Sequence, residues 1–487
     1  MITLTKSKNF SGEYCATVVR LGEIKEIKGA NTIAKTEVNG RTIVVSKMCN
    51  KGDLMIYISN ECQICPEFLT KNNLYRDYML NSNFDEVEKY KLSTEDTDEQ
   101  QKEFMRTHTG YFENTGRVRM QKFAGELSMG VLFTPQEFYN WIGNDDILLS
   151  EHVGVDFDEV NGIEFVKPYI PRTKERHKSF ADKRNSRLKR FNRIIPGQFV
   201  FHYDTQQLEK NITKIKPDDI ITITPKIHGT SFILSNCLVN KPIFGKMYER
   251  VFNYLPKCLQ FTKQEHDVIY SSRRVIKNAE INPTASGYSV GLDRTFEAYY
   301  EMLKDYIQPN YTIYGEIFGY EEGTHNYIQT VGKGYDYRCK PKENKLMIYR
   351  VTYTNSNGTK YEFNIDEVAE FTANLKIMIT DEGRKDIAER LFTIPILYHG
   401  PADALFIIDE QTHWHENFLE NLKHCKEFYM ECNEPLCKNA VPREGIVLRV
   451  DGDPIAEAFK LKCLKFLQKE SQEIDKGNID TESEERY

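Results

Sequence analysis

The chain has 487 residues, of which 40% are hydrophobic and 28% are charged, and its net charge is -7. This length exceeds what one hydrophobic core supports and predicts two or three domains. No apolar run approaches the roughly 20 residues that cross a bilayer, and the N-terminus lacks a secretion signal. We therefore expect an intracellular protein, in the cytoplasm or nucleus, without a membrane partner. The negative charge excludes a generally cationic coat for nucleic acids, so any such affinity must be local.

The eleven cysteines lack the regular spacing of a disulfide framework and predict reduced thiols. Two groups have the residue types of a metal site: Cys62 with Cys65, and Cys425, Cys432 and Cys437 near His413, His415 and His424. Neither group has a second CxxC or a properly spaced histidine pair. We interpret both as packing or surface residues in preference to a zinc site.

Residues 1–140 predict a small β-barrel domain, because short β-branched runs alternate with Asn-Gly and Gly-Asp turns. The predicted strands are Ala16–Arg20, Thr32–Ala34, Thr42–Ser46, Leu54–Ile58 and Gly116–Ala124. Residues 85–103 are polar and mostly acidic, which predicts a helical or flexible insertion outside the core.

Residues 141–195 form a basic linker. Apart from Glu175 and Asp182, the charged residues of its central part are Lys167, Arg172, Lys174, Arg176, Lys178, Lys183, Arg184, Arg187, Lys189, Arg190 and Arg193. Opposite phosphates, such a stretch gains affinity by releasing counterions. Composition alone favours a solvated helix face or a simple linker.

Residues 196–470 predict a larger α+β domain without regular βαβ alternation. The predicted strands are Ile220–Thr224, Ser231–Ser235, Tyr311–Tyr314, Leu346–Tyr353 and Gly445–Val450, with helical stretches at Arg294–Tyr306 and Ile365–Asn374. Residues 471–487 are rich in Glu and Asp and predict a disordered acidic tail.

Four motifs of the larger domain carry candidate chemistry. The first, Lys226–Ser231, lies in a turn between two predicted strands, where Gly229 lets the backbone approach a ligand closely. Alone it is a surface hairpin with a lysine at its tip. The others are Tyr314–Gly319, Arg443–Arg449 and Phe459–Lys462, each of which alone is a solvated strand end. In this order and spacing, the set is hard to obtain by accident.

Together these motifs resemble nucleotidyl motifs I, III, IV and V of the covalent nucleotidyltransferase superfamily, which comprises ATP-dependent ligases and mRNA capping enzymes. The KxHG form of the first motif, at Lys226–Gly229, is similar to that of the Deinococcus-type RNA ligases. The resemblance covers most of the chain outside the insertion, the linker and the tail. It implies an α+β architecture with an N-terminal OB-fold β-barrel and a C-terminal nucleotidyltransferase domain of antiparallel sheets with flanking helices.

The resemblance assigns roles to individual side chains. Lys226 is the expected nucleophile that becomes covalently bonded to AMP from ATP. Lys460 and Lys462, which share a strand face, or a metal ion, would lower the pKa of that lysine and neutralise charge on the α-phosphate. Glu444 and Glu316 are the expected ligands of Mg²⁺ or Mn²⁺, and Glu316 is alternatively a ribose contact. Further expected nucleotide contacts are His228, Gly229 and Arg273, with Arg274 or Lys277 as replacements for Arg273.

Three steps follow from the resemblance: lysyl-AMP formation, transfer of AMP to a 5′-phosphate on RNA, and attack by a 3′-hydroxyl that releases AMP. The expected partner is RNA with 5′-phosphate and 3′-hydroxyl ends, in a nicked duplex with RNA on the 3′-hydroxyl side, and the expected state is a monomer. Expected RNA contacts of the OB domain are Lys47, Arg117, Arg119 and Lys122.

Two departures from the superfamily pattern concern the base and phosphate contacts. Most members have Asp where this chain has His228, and a histidine is not a permanent anion. Where relatives place an aromatic residue that stacks on adenine, Leu346–Tyr349 begins with an aliphatic side chain. Met347 or Tyr349 is the expected substitute.

Two alternative functions remain. A capping guanylyltransferase or a DNA ligase continues into a C-terminal OB domain, whereas only 25 residues follow Lys462, which favours RNA ligation. A non-catalytic RNA-binding protein with a decayed nucleotidyltransferase domain should lack an essential side chain. The retained set of Lys226, Glu316, Glu444, Lys460 and Lys462 disfavours that reading.

Overall fold

The computed structural model describes residues 3–93, 96–143, 149–171, 192–202, 205–244, 251–278, 290–329, 333–408, 411–452 and 456–477. The chain divides into two compact units, Met1–Ile170 and Pro171–Tyr487. The first unit extends past the expected boundary at 140 because strands beyond residue 155 pair with earlier ones. Nine of the eleven basic residues named for the linker, those from Arg172 to Arg190, and the end of the acidic tail lie outside the described residues.

The first unit contains fourteen described strands and four described α-helices. The strands are β1 Leu4–Thr5, β2 Ala16–Arg20, β3 Lys25–Glu26, β4 Ile33–Val38, β5 Arg41–Ser46, β6 Leu54–Ile58, β7 Cys62–Ile64, β8 Gln121–Phe123, β9 Glu126–Ser128, β10 Val131–Phe133, β11 Asp156–Phe157, β12 Glu159–Val160, β13 Ile163–Glu164 and β14 Val166–Pro168. The helices are α1 Pro66–Lys71, α2 Phe84–Ser93, α3 Asp98–His108 and α4 Pro135–Ile142.

Small antiparallel sheets build the first unit. The largest has the strand order β10-β6-β2-β11, and β3-β4-β5 forms a separate meander. Buried and less buried side chains alternate along β4 and β5, which is the pattern of strands with one covered face. The four predicted strands between Ala16 and Ile58 are all present, with shifted ends at β4 and β5.

The predicted strand Gly116–Ala124 forms only in part: Gln121–Phe123 is a short strand, and Arg117 makes an isolated antiparallel bridge to Gln63. Gly116 and Ala124 both have positive φ, which interrupts a strand at each end. The acidic insertion was predicted to be helical or flexible, and it is helical. It forms α2 and α3, and α3 buries no side chain.

An aromatic cluster forms the core of the first unit. The Phe165 ring packs against four others, with centroid distances of 5.2 Å to Phe68, 5.6 Å to Phe138, 5.0 Å to Trp141 and 5.9 Å to Phe157. All five side chains are buried. Phe165 is thus the ring that contacts each of the other four, and it occupies the centre of the cluster.

Replacing Phe165 by Ala should therefore destabilise the first unit by about 3–5 kcal/mol, the usual result of emptying an aromatic core position. Urea unfolding followed by the fluorescence of Trp141, in a variant whose other tryptophan, Trp414, is replaced by Phe, measures this. The control is Phe123→Ala, whose side chain is exposed. Equal unfolding midpoints for the two variants would contradict the assignment.

The second unit contains eleven described strands and six described α-helices. The strands are β15 Gln206–Gln207, β16 Ile220–Pro225, β17 Thr230–Pro242, β18 Thr262–Ser271, β19 Tyr311–Gly319, β20 Asn344–Thr354, β21 Lys360–Glu362, β22 Leu391–Thr393, β23 Tyr398–Pro401, β24 Gly445–Val450 and β25 Glu457–Lys462. The helices are α5 Leu208–Asn211, α6 Val290–Leu303, α7 Ile365–Asp381, α8 Lys385–Ala388, α9 Trp414–Lys423 and α10 Leu464–Asp475. Across the described ranges, no helix is both long and apolar enough to span a membrane.

Two sheets organise the second unit, one with the order β15-β25-β24-β16-β23 and one with the order β18-β17-β19-β20-β21, to which β22 adds beside β20. The pairings are antiparallel except for two short parallel ones, β15 with β25 and β20 with β22. The α+β class with antiparallel sheets and helices is therefore confirmed. Helix α10 continues to Asp475, so the described part of the predicted tail begins as ordered helix.

The six-stranded sheet has a different neighbour on each face. On one face, Leu346 and Ile348 of β20 join a cluster with α6 and α7. On the other face, Met347 joins a cluster that also contains residues of the five-stranded sheet, such as Ile223 and Leu448. The second face is therefore the one directed towards the other sheet.

A β-bulge interrupts β20. Tyr314 pairs with Arg350 and Gly315 pairs with Ile348, so Tyr349 is the extra residue. The bulge reverses the alternation, because Leu346, Ile348 and Val351 all enter the same core cluster. As a result, two consecutive side chains, Tyr349 and Arg350, are directed to the opposite face.

Candidate active site

Lys226 lies in the loop that joins β16 to β17, as the sequence predicts. Its backbone N–H donates to the carbonyl of Gly445 at 2.9 Å, which ties the loop to the start of β24. Its Nζ lies 2.7 Å from Oε1 of Glu444. The lysine side chain is 25% exposed and the glutamate side chain only 4%, so the charged end of the lysine is the accessible part of this pair.

Glu444 is the buried anion at the centre of the site. Its second oxygen, Oε2, lies 3.3 Å from Nδ1 of His228. Burial by itself would raise the pKa of Glu444, but the positive charges of Lys226, His228 and Lys462 outweigh it and lower that pKa well below its usual value. The carboxylate therefore remains ionised.

Close backbone packing requires the two glycines of the site. A Cβ on Gly229 would lie 2.3 Å from the carbonyl oxygen of Ile317, and its N–H donates to Oε1 of Glu316 at 3.1 Å. A Cβ on Gly445 would lie 2.0 Å from the carbonyl oxygen of Leu461, and its φ is +149°. Any side chain at these positions would push Glu316 or Glu444 out of place.

Aromatic side chains enclose His228, and sequence reasoning missed all of them. The Tyr335 and Phe466 rings meet the imidazole edge to face, with centroid distances of 4.7 and 5.0 Å. The backbone N–H of His228 donates to the hydroxyl of Tyr337 at 2.7 Å. Burial raises the pKa of both tyrosines, so their hydroxyls remain neutral. In the sequence, the two tyrosines that flank Asp336 were the feature that could have indicated an aromatic enclosure.

Asp336 fixes these tyrosines in position. Its buried carboxylate accepts backbone N–H groups from Arg338 at 2.6 Å, Lys438 at 2.9 Å and Asn439 at 2.8 Å. The carboxylate thereby joins two loops that are about a hundred residues apart in sequence. Its role is structural, because its oxygens are used within the protein.

Lys460 and Lys462 lie on the same face of β25, as predicted. Both are half-buried, while Phe459 and Leu461 between and beside them are buried. Lys462 forms an ion pair with Glu470 at 3.2 Å and contributes to the low pKa of Glu444. The charges of the two motif lysines thus act on the same groups as the charge of Lys226. We call the region of these three lysines the lysine cleft.

The expected phosphate contact Arg273 lies just after β18 and is partly buried, whereas Arg274 is exposed. Lys277 forms a buried ion pair with Asp293 at 3.1 Å. Arg273 and Lys226 are both near enough to His202 to affect its pKa. The structure thus brings Arg273 to the lysine cleft and gives Lys277 a structural partner.

Met347 pairs across the sheet with Glu316 but is only 6% exposed and packs in the core. Tyr349 is partly buried and packs edge to face on the His202 ring at 5.4 Å. Both side chains lie on the sheet face that carries Glu316.

His202 is a cleft residue that the sequence did not reveal. Its ring also lies 5.9 Å from that of Tyr314, whose hydroxyl donates to the carbonyl of Val200 at 3.0 Å. Burial, followed by the positive charges of Arg350, Arg273, Lys226 and Lys460, lowers the pKa of His202 well below its usual value. Its segment gave no signal, because a single histidine after an apolar run is most often a packing residue.

Glu444 and Glu316 fit a divalent cation by their chemistry. Carboxylate oxygens are the preferred ligands of Mg²⁺, and the two groups contact adjacent residues of one loop, His228 and Gly229. Within the described ranges, no cluster of three or more His, Cys, Asp or Glu side chains could hold a metal by itself. All eleven cysteines are free thiols.

Four residues of the first unit were expected to contact RNA, and this prediction is wrong for Arg117. Its side chain is buried against Glu61 at 2.7 Å and stacks on Tyr169. Lys47 is close to Glu26 at 3.5 Å. Lys122 is exposed and Arg119 is half-buried.

The cleft combines lysines that suit phosphate groups with carboxylates that suit a divalent cation, which is the equipment of a phosphoryl-transfer enzyme. The RNA ligase family model matches residues 219–466, more than half of the chain. The chain belongs to the RNA ligase family. No curated protein matches it in sequence.

Solved structures of Naegleria gruberi RNA ligase share its fold. A Lys-to-Met mutant with AMP and Mn is 17% identical, with a TM-score of 0.50, over 93% of this chain and 98% of that one. A Glu-to-Ala mutant with AMP and Mn is 16% identical, with a TM-score of 0.49 over the same shares. A Lys-to-Ala mutant with ATP and Mn is 17% identical, also with a TM-score of 0.49 over those shares.

The low pKa of His202 predicts a pH effect on stability. The unfolded chain binds a proton at this histidine near pH 6.5, whereas the folded protein binds it only at lower pH. Stability should therefore fall as the pH decreases below about 6.5, by up to about 1.4 kcal/mol per pH unit. Urea unfolding between pH 7.5 and 5.5 should show a shallower fall in His202→Gln, and equal slopes would contradict the assignment.

Proposed function

We propose that this RNA ligase is ATP-dependent and joins RNA ends through a lysyl-AMP intermediate on Lys226. The observation that carries the proposal is the 2.7 Å pair of Lys226 with the buried Glu444, in a cleft that also contains Lys460 and Lys462. Membership of the RNA ligase family supports RNA as the substrate. The KxHG motif favours the Deinococcus type within that family.

Lys226 must lose a proton before its amine can attack the α-phosphorus of ATP. Glu444 is a poor base for this proton, because its own pKa is strongly lowered. The positive charges of Lys460 and Lys462 favour the neutral amine and then oppose the negative charge that develops on the phosphate. These two lysines therefore serve both the nucleophile and the transition state.

Glu444 and Glu316 are the residues that would hold a divalent cation, which supplies positive charge to the phosphates when bound. The Mn in the Naegleria ligase complexes is consistent with this assignment. His228, enclosed by aromatic rings, keeps Glu444 in place and is directed towards the nucleotide by the same loop. Gly229 orients Glu316 through its N–H.

The three steps balance as successive displacements at phosphorus. Lys226 attacks ATP and expels pyrophosphate, an RNA 5′-phosphate displaces the lysine and takes AMP, and a 3′-hydroxyl displaces AMP to form the phosphodiester. Arg273 is the further phosphate contact in this proposal, since its charge, like that of Lys226, acts on His202. ATP is preferred to GTP in this proposal because Naegleria ligase structures contain AMP or ATP.

For the RNA partner we propose a nicked duplex, with RNA on the 3′-hydroxyl side, bound by a monomer. We propose that the N-terminal unit is an OB domain. This unit and the basic linker would bind RNA outside the cleft and so increase the affinity. The complete set of Lys226, Glu316, Glu444, Lys460 and Lys462 argues against a decayed, non-catalytic protein.

Replacing Lys226 by Ala should abolish labelling of the polypeptide by α-labelled ATP, because the proposed nucleophile is the amine that pairs with Glu444. The wild type should be labelled from ATP and not from GTP, in the presence of Mg²⁺, on a denaturing gel. Lys216→Ala, an exposed lysine ahead of β16, should label normally. Retained label in the Lys226 variant would refute the nucleophile, and label from GTP would instead point to capping.

The basic linker should act through phosphates. Replacing Arg184, Arg187, Lys189 and Arg190 by Ser should weaken binding of a nicked RNA duplex and reduce the slope of log affinity against log salt by up to about 4. Autoadenylation should be unchanged, since it needs no RNA. Titrations of labelled duplex between 50 and 300 mM salt measure both quantities, and an unchanged slope would make the segment a simple linker.

A further inference from the structure

Helix α10 follows β25 directly and carries two side chains of one face to the lysine cleft. Phe466 and Glu470 are four residues apart, so they lie one above the other on the helix. The family match ends at Phe466, and Glu470 lies beyond it. Glu470 therefore lies outside the range that the family model matches.

Phe466 connects the helix to two groups of the site. Its buried ring lies 5.0 Å from the ring of His228 and 5.3 Å from Nζ of Lys462. An ammonium group over an aromatic face is attracted by the ring quadrupole. The ammonium group of Lys462 thus has an aromatic support on α10.

Glu470 binds the same ammonium group of Lys462. Both of its oxygens accept from Nζ of Lys462, at 3.2 and 3.3 Å. The two side chains are only 14% and 18% exposed, so water screens the pair weakly. Because an ammonium group has three N–H donors, placing two on one carboxylate fixes the direction of the third.

Lys462 also acts on a second carboxylate, that of Glu444, through its charge. Its positive charge contributes to the low pKa of Glu444, the partner of Lys226. Without an anchor on α10, the ammonium of Lys462 would be drawn towards Glu444 and would compete with Lys226 for it. Glu470 therefore determines which of two carboxylates Lys462 approaches.

We propose that Glu470 is a positioning residue for lysyl-AMP formation: it anchors Lys462 so that its ammonium meets the α-phosphate and does not collapse onto Glu444. The proposal rests on the ATP-dependent ligase function. In the reaction, the bond from Nζ of Lys226 to the α-phosphorus forms, the bond to pyrophosphate breaks, and the lysine proton leaves to solvent. Glu470 touches none of these atoms and acts through Lys462.

The test is the single-turnover rate of lysyl-AMP formation from α-labelled ATP, measured over a range of ATP concentrations. Glu470→Gln keeps the size of the side chain and removes its charge. It should slow the rate at saturating ATP roughly tenfold, the lower end of the effect of losing a residue that orients a catalytic group. The ATP concentration for half-maximal rate should change less than about twofold, because positioning matters most when charge develops in the transition state.

The matched control is Glu473→Gln on the same helix. Glu473 also forms an ion pair with a lysine, Lys476, at 2.8 Å, but this pair does not include a motif lysine. The control should label at the wild-type rate. Glu470→Asp, which keeps the charge on a shorter side chain, should recover part of the lost rate, and thermal unfolding of every variant identifies any that fails to fold.

A double-mutant cycle with Lys462→Met separates positioning from general stability. If Glu470 acts through Lys462, then Glu470→Gln should cause no further loss once Lys462 is Met. A further tenfold loss in that background, or a wild-type rate in Glu470→Gln alone, would overturn the proposal. An unlabelled wild type would refute the ligase function itself and this proposal with it, whereas a labelled wild type with an unaffected Glu470→Gln refutes only the positioning role.

Discussion

Burial of an ionised carboxylate is the constraint on which the rest of the second unit depends. An unpaired charge in the place of Glu444 would cost far more free energy than a small domain can supply. Lys226 and His228 compensate that charge directly. The enclosing tyrosines, the Asp336 carboxylate that joins two loops and the close packing at Gly229 all maintain the geometry of this compensation. Removing one partner would leave the others buried and unmatched.

Under the proposed function, the same pairing opposes the attack of Lys226 on ATP in the free protein. An ion pair with Glu444 stabilises the protonated form of Lys226, which cannot attack a phosphate. Reactivity therefore depends on charges that arrive with the substrate and on the neighbouring motif lysines. The arrangement links the nucleophile to an occupied cleft, and it limits adventitious modification of an exposed amine when no nucleotide is present.

Short-range patterns predicted much of this architecture. The turn at Lys226 between two strands and the common face of Lys460 and Lys462 follow from local sequence, because strand alternation and turn residues act over a few positions. His202 and Asp336 escaped prediction, since their partners lie tens to hundreds of residues away. Glu470 stands beside the acidic stretch that was predicted to be disordered, and only the packing of α10 on His228 and Lys462 distinguishes it.

The bulge at Tyr349 would allow strand β20 to lose one residue without exchanging its two faces. In a regular strand, a slip of one residue exchanges the buried and exposed faces along its whole length. Here the two halves of β20 already run out of phase, and Leu346, Ile348 and Val351 share one core across the irregularity. Loss of Tyr349 alone would restore an unbroken ladder, preserve that core and remove one aromatic ring from the cleft. A deletion at this position would therefore change the lining of the cleft with a smaller loss of stability than most substitutions in the core. Homologues of this chain should vary here in length as well as in residue type.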